Sequence, residues 1–423
     1  MEVCDLHISS LPYLKIIETG DSSYVVYNFV IHCGIRVSKL ELYILELYYK
    51  FQDADYIIQQ FDSQHQLSIQ KAINFIASSK ILSASDNNVI EPEESVSPSI
   101  YYVHLTYNCN LHCTYCYNAE IRKTTSLKLL HKSQWMTIVD KIISSATTIV
   151  FTGGECFLSP YLGLLAEYIK NTKPECGVQC MSNGMFDLNN KDTQLALSKI
   201  DGLGLSCDSL TTVHHRIGFN PQRFRHNIET IQQQFPHIQI AIHSTLSSDN
   251  LADIQNIKDY CQSRKLNHLI VTLSPGSVQE IQQVPSSAEV LATMCNHCQT
   301  PIPIKALSPK RFRCGAAQSV ISIDPFGNVY PCQCLHYPEF KMGNLLHQEL
   351  STLKYIVDGT SPIPSGDEFA QCQHCDVKYI CGGGCKATGY RLYGGVLKPN
   401  HLSCLINRQT ALAKLKLLDN RTK

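Results

Sequence analysis

Apolar residues recur along this chain with two spacings, and the regime changes three times. Near the start, short apolar runs at roughly Leu14–Ile17 and Tyr24–Ile31 flank the turn Gly20-Asp21-Ser22-Ser23 and predict a hairpin-like pair of strands. Helical spacing follows. Leu40, Tyr43, Ile44, Leu47, Tyr48 and Phe51 recur at that period, and Ser38 with Glu41 has the form of a capping box ahead of them. A short second helix is expected over Asp55–Phe61, and Ile69, Ile73 and Ile76 mark a third. The pattern then stops. Ser83-Ala84-Ser85-Asp86-Asn87-Asn88 and Glu91-Pro92-Glu93-Glu94-Ser95-Val96-Ser97-Pro98 are polar, acidic and proline-punctuated, as domain boundaries are. From about 100 to 285 strand and helix alternate. The β-rich runs are Tyr101–Leu105, Thr148–Phe151, Val178–Met181, Leu203–Ser206, Ile238–His243 and Leu269–Leu273. From about 295 to 404 periodicity is poor, and a helical tail over Leu405–Leu418 follows.

These regimes predict three parts. Residues 1–90, strands followed by three helices, read as a small winged-helix-like module. Residues 99–290, a repeated βα pattern, predict an α/β unit with a parallel sheet, open or curled into a partial barrel. Residues 291–423 read as a fold held by metal rather than by a large core, closed by the C-terminal helix.

Composition narrows the function. The 423 residues are 44% hydrophobic, enough for a sizeable core, and carry 36 Lys plus Arg against 36 Asp plus Glu. A zero balance gives no electrostatic footprint for nucleic acid or an anionic membrane. Up to Glu94 there are 13 acidic and 6 basic residues, a balance of −7, which favours a protein or peptide partner over DNA for the N-terminal module. No apolar run of about 18 residues exists to cross a membrane. The opening MEVCDLHISS lacks a basic-then-apolar signal pattern, so a cytoplasmic location is expected, where thiols stay reduced. Twenty cysteines in that setting call for metal, redox or cluster chemistry.

The first cysteine constellation follows the first strand of the βα repeat. Cys109, Cys113 and Cys116 stand in C-x3-C-x2-C, with Tyr115 before the third. Three thiolates on one loop cannot complete a tetrahedral zinc site without a fourth ligand. They can hold three irons of a [4Fe–4S] cube and leave the fourth open. Active sites of such folds lie at the carboxyl ends of the strands, where this loop falls. So does Thr152-Gly153-Gly154-Glu155, after the second strand. Together these segments resemble the radical S-adenosylmethionine (SAM) superfamily.

That resemblance implies a partial (β/α)6 TIM-like barrel, a cluster on Cys109, Cys113 and Cys116, and SAM chelating its open iron, with cleavage to a 5′-deoxyadenosyl radical. It also implies that Gly153, Gly154 and Glu155 lie at the methionine amino group, the glycines permitting close backbone approach. Further SAM contacts carried over are Tyr115, Asn183 in Ser182-Asn183-Gly184, Ser206 and Asp208 in Ser206-Cys207-Asp208, and Arg216 in His214-His215-Arg216. Ser209 stands where the family often has glycine, so for Asp208 and Arg216 a capped turn or surface role is the competing reading.

The C-terminal cysteines form C-x12-G-x4-C over Cys314, Gly327 and Cys332, then C-x2-C-x5-C-x3-C over Cys372, Cys375, Cys381 and Cys385, then Cys404. This resembles the seven-cysteine SPASM extension, which implies two auxiliary [4Fe–4S] clusters and three clusters in all. Cys372, Cys375, Cys381 and Cys404 would ligate one; Cys314, Cys332 and Cys385 would hold the other. The latter either keeps an open iron for substrate or is completed by Cys334; spacing leaves both standing. Two zinc knuckles are the competing reading. Of the other cysteines, Cys156, Cys176, Cys180, Cys207 and Cys261 read as buried thiols acting as small hydrophobes. Cys295 and Cys298, a further C-x2-C, are assigned no ligand role.

The three-part layout resembles radical SAM/SPASM peptide maturases. It implies a ribosomally made precursor peptide whose leader binds the N-terminal module by strand addition, and an electron donor such as flavodoxin or ferredoxin. The expected reaction is hydrogen abstraction followed by C–C or thioether cross-linking. Epimerisation, with Cys207 or Cys334 as hydrogen donor, and side-chain oxidation of the anaerobic sulfatase-maturase type are the alternatives. A non-enzymatic iron–sulfur scaffold with a partner-binding N-terminal module is the third.

Overall fold

The structure, a computed structural model, describes residues 6–19, 22–28, 33–83, 98–124, 129–277, 279–295, 302–303, 314–356, 362–373, 375, 377–398, 401–416 and 418–419. Gly20, Asp21, residues 29–31, most of the expected linker, and Cys298 lie outside them.

The N-terminal part builds its own core. Strands β1 (Leu14–Glu18), β2 (Ser23–Asn28) and β3 (Cys33–Ser38) form an antiparallel sheet in the order β1-β2-β3. Helices α1 (Lys39–Phe51), α2 (Ala54–Gln59) and α3 (Gln66–Ser79) follow. The capping box forms: Glu41 N donates to Ser38 Oγ at 3.2 Å and Ser38 N to Glu41 Oε2 at 2.7 Å. Val26, Ile35 and Val37 from the sheet share one cluster with Leu45, Ile69 and Ile73 from the helices. Glu46 is buried on α1. It accepts from His7 N at 2.9 Å and Ile8 N at 3.0 Å, which fastens the first segment onto the helix. The sequence reading missed β3. Its run is broken by Gly34, where a side chain would meet the Tyr27 ring at 2.9 Å, and it is recognisable only through its pairing with β2.

The larger part is an α/β fold around one mostly parallel sheet. Its strands are β4 (Ile100–Thr106), β5 (Thr148–Gly153), β6 (Gly177–Ser182), β7 (Gly202–Ser206), β8 (Gln239–Leu246), β9 (Asn267–Thr272), β10 (Val320–Ile323), β11 (Asn328–Tyr330) and β12 (Gly343–Asn344). The order is β9-β8-β7-β6-β5-β4-β10-β11-β12. β4 to β9 are parallel and lie in chain order, so each joins its predecessor through a crossover. The crossovers contain α4 (Lys132–Ile143), α5 (Leu162–Thr172), α6 (Lys191–Lys199), α7 (Pro221–Gln234) and α8 (Leu251–Arg264).

Strand alternation divides the sheet into two faces. Tyr101, Val103, Ile149, Phe151, Leu203 and Leu205 are buried in one core with Trp135, Ile138 and Ile228 of the helices. The intervening residues, among them Tyr102, Val150, Met181, Gly204 and Ala241, line a cavity on the other face. The sheet does not stop at residue 290. β10 pairs in parallel with β4 through Val320–Ile323, so the cysteine-rich region is hydrogen-bonded directly to the first strand of the repeat. Past it lie α9 (Lys386–Tyr393) and α10 (His401–Lys416). Among the described residues no helix is long and apolar enough to cross a membrane.

Phe151 is fully buried between sheet and helices. Phe151→Ala is expected to lower unfolding stability by about 3–5 kcal/mol in a urea titration, since a large cavity opens in a packed core. A loss below about 1 kcal/mol would mean that this core is not the one that holds the sheet.

Candidate active site

The site begins where β4 ends. Thr106 is its last residue, and the chain leaves as a loop carrying Cys109, Cys113 and Cys116. Two devices hold that loop. The short strand His112–Cys113 pairs antiparallel with Arg216–Ile217, and Cys116 N donates to Cys113 O at 3.3 Å. All three thiols are free and face one cavity. Donors aim at their sulfurs: Leu111 N at 3.4 Å and Asn183 Nδ2 at 3.6 Å to Cys109, and Arg216 Nη1 at 3.9 Å to Cys113. Burial pushes the Cys113 thiol up to about 11, with the Arg216 guanidinium opposing. Half-buried sulfurs, two of them with hydrogen-bond donors directed at them, suit thiolates whose charge a bound metal cluster offsets.

Gly153 and Gly154 place β5 against this loop. Gly153 has φ 129°, and a side chain there would meet Thr106 O at 2.2 Å. At Gly154 it would meet Asn108 O at 2.2 Å and Tyr107 O at 2.4 Å. Gly154 N donates to Thr106 O and Glu155 N to Asn108 O, both at 2.8 Å. The glycines are therefore required by the approach of two chain segments, whatever ligand lies beyond them.

Glu155 turns away from the cavity and is fully buried. Burial raises its pKa, while hydrogen bonds from Asn183 N at 2.8 Å, Ser182 Oγ at 2.8 Å and Phe157 N at 3.2 Å lower it. Through those bonds it fixes the turn after β6, and Asn183 of that turn reaches back to Asn110 Oδ1 at 2.7 Å.

Asp208 is likewise buried behind the wall. It accepts from Arg216 Nε at 3.0 Å, Thr245 N at 2.8 Å and Tyr115 OH. Arg216 lies 5.6 Å from the Tyr115 ring centroid. The Asp208 carboxylate thus joins the cysteine loop, the segment after β7 and the end of β8.

The cavity these groups border is about 1230 Å³. Cys109, Cys113, Tyr115, Cys116, Gly153, Gly154, Asn183, Ser206 and Arg216 line one part of it; Cys334, Cys381 and Cys385 line another. The C-terminal cysteines fall into two electrostatic groups. Cys372 is pushed up to about 11 by burial and by Cys375, Cys381 and Cys404. Cys332 is raised by burial and by Cys334, Cys314 and Cys385. Lys386 interacts with both groups. It is 3% exposed, donates to Gly384 O at 3.0 Å and to Gly382 O, and stands 4.9 Å from the Phe369 ring centroid. Burial lowers its pKa, while Cys314, Cys381, Cys385 and Cys372 raise it. Among the described residues no three His, Cys, Asp or Glu side chains close round a single metal ion.

The family model described as the Radical SAM superfamily matches residues 103–261. Residues 103–261 are a radical SAM domain. Such a domain binds SAM and a [4Fe–4S] cluster, and its superfamily is one of enzymes. The chain is 25% identical over 305 residues to the Bacillus subtilis antilisterial bacteriocin subtilosin biosynthesis protein AlbA, covering 66% of this chain and 65% of that protein. It therefore spans just under two thirds of that relative's length. Over 102 residues it is 37% identical to the serine-type anaerobic sulfatase-maturating enzyme of Klebsiella aerogenes, covering 21% of this chain and 24% of that one. In fold it is similar to Streptococcus suis SuiB solved with S-adenosylmethionine. The TM-score there is 0.56 at 14% identity, with 93% of this chain and 99% of that one covered.

Around the radical SAM cavity, most of the residues singled out from sequence come together, while Glu155 and Asp208 stand behind the lining. Cys156, Cys176, Cys180, Cys207 and Cys261 are buried in the main core. Cys207 donates to Ser209 O at 3.2 Å and lies outside the cavity lining. Of the Cys295/Cys298 pair, the Cys295 side chain and all of Cys298 lie outside the described residues. The sequence reading missed Lys386, Arg391, Thr245 and His336. Only Lys386, next to Cys385 and two residues past a triple glycine, carried a local signal.

A methyl group at residue 154 forces the cysteine loop away from β5. Gly154→Ala is expected to cut reductive formation of 5′-deoxyadenosine by about 100-fold, the cost of an ångström-scale misplacement. Formation within about twofold of the parent protein would remove the packing argument for that glycine.

Proposed function

We propose that the chain is a radical SAM peptide maturase that oxidatively cross-links a ribosomally made precursor peptide through a C–C or thioether bond. The observation that carries this reading is the single cavity that the three-cysteine loop shares with Cys334, Cys381 and Cys385 of the C-terminal region. A cavity of about 1230 Å³ exceeds the usual ~300–1,000 Å³ of a small-molecule site, leaving room for a second ligand beside the nucleoside.

On this reading, the six sequential parallel strands are a partial (β/α)6 barrel. Cys109, Cys113 and Cys116 hold the SAM cluster. The C-terminal region is a SPASM domain with two auxiliary clusters, one on Cys372, Cys375, Cys381 and Cys404, the other on Cys314, Cys332 and Cys385. Bound together, SAM and its cluster supply a 5′-deoxyadenosyl radical for hydrogen abstraction. The chain's own residues orient the reactants. Backbone at Gly153 and Gly154, with Asn183 and Ser206, borders the SAM part of the cavity, and Arg216 supports the Cys113 sulfur. The inner faces of β8 and β9, with His243, Leu269 and Val271, offer a mixed apolar wall to the peptide. Cross-linking removes two hydrogen atoms from the peptide: one would leave whole to the 5′-deoxyadenosyl radical, the other as a proton and an electron, and auxiliary clusters beside the reaction space would accept that electron.

Residues 1–90 are read as a winged-helix-like leader-recognition module. Its independent core and the antiparallel sheet with outer strands β1 and β3 support capture of an extended peptide by strand addition. Two similar proteins support the substrate class. AlbA is a bacteriocin biosynthesis protein, and SuiB has been solved bound to its precursor peptide SuiA. A flavodoxin or ferredoxin is the expected reductant, and the expected location is cytoplasmic.

Co-expression with the precursor should give a product lighter by two hydrogens per cross-link in intact-mass spectrometry; an unchanged mass would sink the oxidative reading and leave epimerisation. Deleting residues 1–90 should weaken precursor binding in a calorimetric titration while sparing SAM cleavage by the uncoupled protein. Equal affinity would show that the leader is bound elsewhere. Lys386→Met removes a buried cation between the two cysteine groups, so the auxiliary clusters should reduce at more negative potentials in an EPR-monitored redox titration. Unchanged potentials would place the ammonium outside their field.

A further inference from the structure

The SPASM resemblance assigns one auxiliary cluster only three ligands, Cys314, Cys332 and Cys385. What stands at the fourth position decides what that cluster can do. An open iron can take a substrate sulfur or carboxylate; a fourth thiolate forbids it.

Cys334 is placed for that position by the cluster it packs on and by the cavity it lines. It packs, with Cys314 and Cys332, on the same small cluster of Ala316, Tyr330, Leu335 and Ala387. It shares the cavity lining with Cys385. The packing cluster and the cavity wall therefore bring together residues from three separated stretches of chain.

The segment that carries Cys334 is fixed on both sides. Leu335 N closes a turn onto Cys332 O at 3.1 Å, and Leu335 is 1% exposed. His336 uses both ring nitrogens, Nδ1 with Tyr107 OH at 2.7 Å and Nε2 with Ser322 Oγ at 2.8 Å. Its ring also stacks on Tyr330, 4.5 Å between centroids and 23° between planes. Tyr107 lies two residues before Cys109 and Ser322 lies on β10. The position of residue 334 is thus set by β10, β11 and the radical SAM loop together, as a ligand position needs to be.

We propose that Cys334 is the fourth ligand of the auxiliary cluster held by Cys314, Cys332 and Cys385, closing it to substrate. This rests on the SPASM reading of the C-terminal region. It assigns that cluster to outer-sphere electron transfer, because no iron is left for a substrate atom. It also removes Cys334 as a free hydrogen donor. Cys207 is buried outside the cavity lining, so oxidation is favoured over epimerisation.

The test uses the full-length protein with Cys109, Cys113 and Cys116 all changed to alanine, reconstituted anaerobically so that only auxiliary clusters remain. The probe is ¹³C-cyanide, read by electron–nuclear double resonance on the reduced protein. About eight irons per chain and no ¹³C coupling are expected, as for two fully ligated cubanes. Adding Cys334→Ala should either expose one cyanide-binding iron or lower the iron count by about four. Adding Cys334→Ser should retain the iron and shift one cluster's spectrum. Cyanide coupling before any change at Cys334, or spectra indifferent to both substitutions, would overturn the assignment. Failure to hold iron at all would overturn the SPASM reading with it, which separates the two failures.

Discussion

The working end of this protein depends on the contact between Gly153–Gly154 and the chain at Thr106–Asn108. Two strands of a parallel sheet normally diverge into separate loops once their ladder ends. Here the backbone hydrogen bonds continue for two residues beyond it, from Gly154 to Thr106 and from Glu155 to Asn108. No side chain fits between them. The cysteine loop is consequently built on the end of β5 as much as on β4. The groups behind it extend the same bracing: Glu155 fixes the turn after β6, and Asp208 ties Tyr115 and Arg216 to the end of β8. Four strand ends are thereby locked to one loop, the kind of supporting shell that a site for radical chemistry needs if its reacting atoms are to be held in place.

The same bracing explains two carboxylates in the radical SAM motifs. Glu155 and Asp208 each spend their oxygens on groups of the chain, and neither lines the cavity. The glycines, Asn183 and Arg216 stand in front of them. A buried carboxylate surrounded by backbone and side-chain donors stays satisfied without a ligand, so its value lies in holding the lining in register. The C-terminal region is coupled in turn by β10 pairing with β4 and by the Tyr107–His336 hydrogen bond. The first runs directly to β4, and the second to the loop that carries Cys109, Cys113 and Cys116.

Much of this could be read in the sequence because the informative signals were local. C-x3-C-x2-C and the C-terminal run are spacings along a few residues, and each of the six parallel strands was visible as a short β-rich run. What stayed hidden is non-local. β3 is interrupted by Gly34 and becomes a strand through Tyr27 and the register with β2. β10 to β12 are two to four residues each, too short for any period to show, and β10 is defined by its pairing with a strand more than 200 residues earlier. The glycines of residues 153 and 154 were legible as a motif, but the clash that requires them exists only once β4 and β5 are side by side. His336 carries no sequence signal, since its partners Tyr107 and Ser322 come from two other parts of the chain.

The central claim is that the cavity unites radical generation with a peptide substrate, and isotope transfer tests it most directly. The reconstituted protein would be given SAM, reductant and a uniformly deuterated precursor, and the 5′-deoxyadenosine weighed. The account predicts one deuterium transferred from peptide to nucleoside per turnover. Deuterium-free 5′-deoxyadenosine, formed at the same rate with or without the peptide, would contradict it.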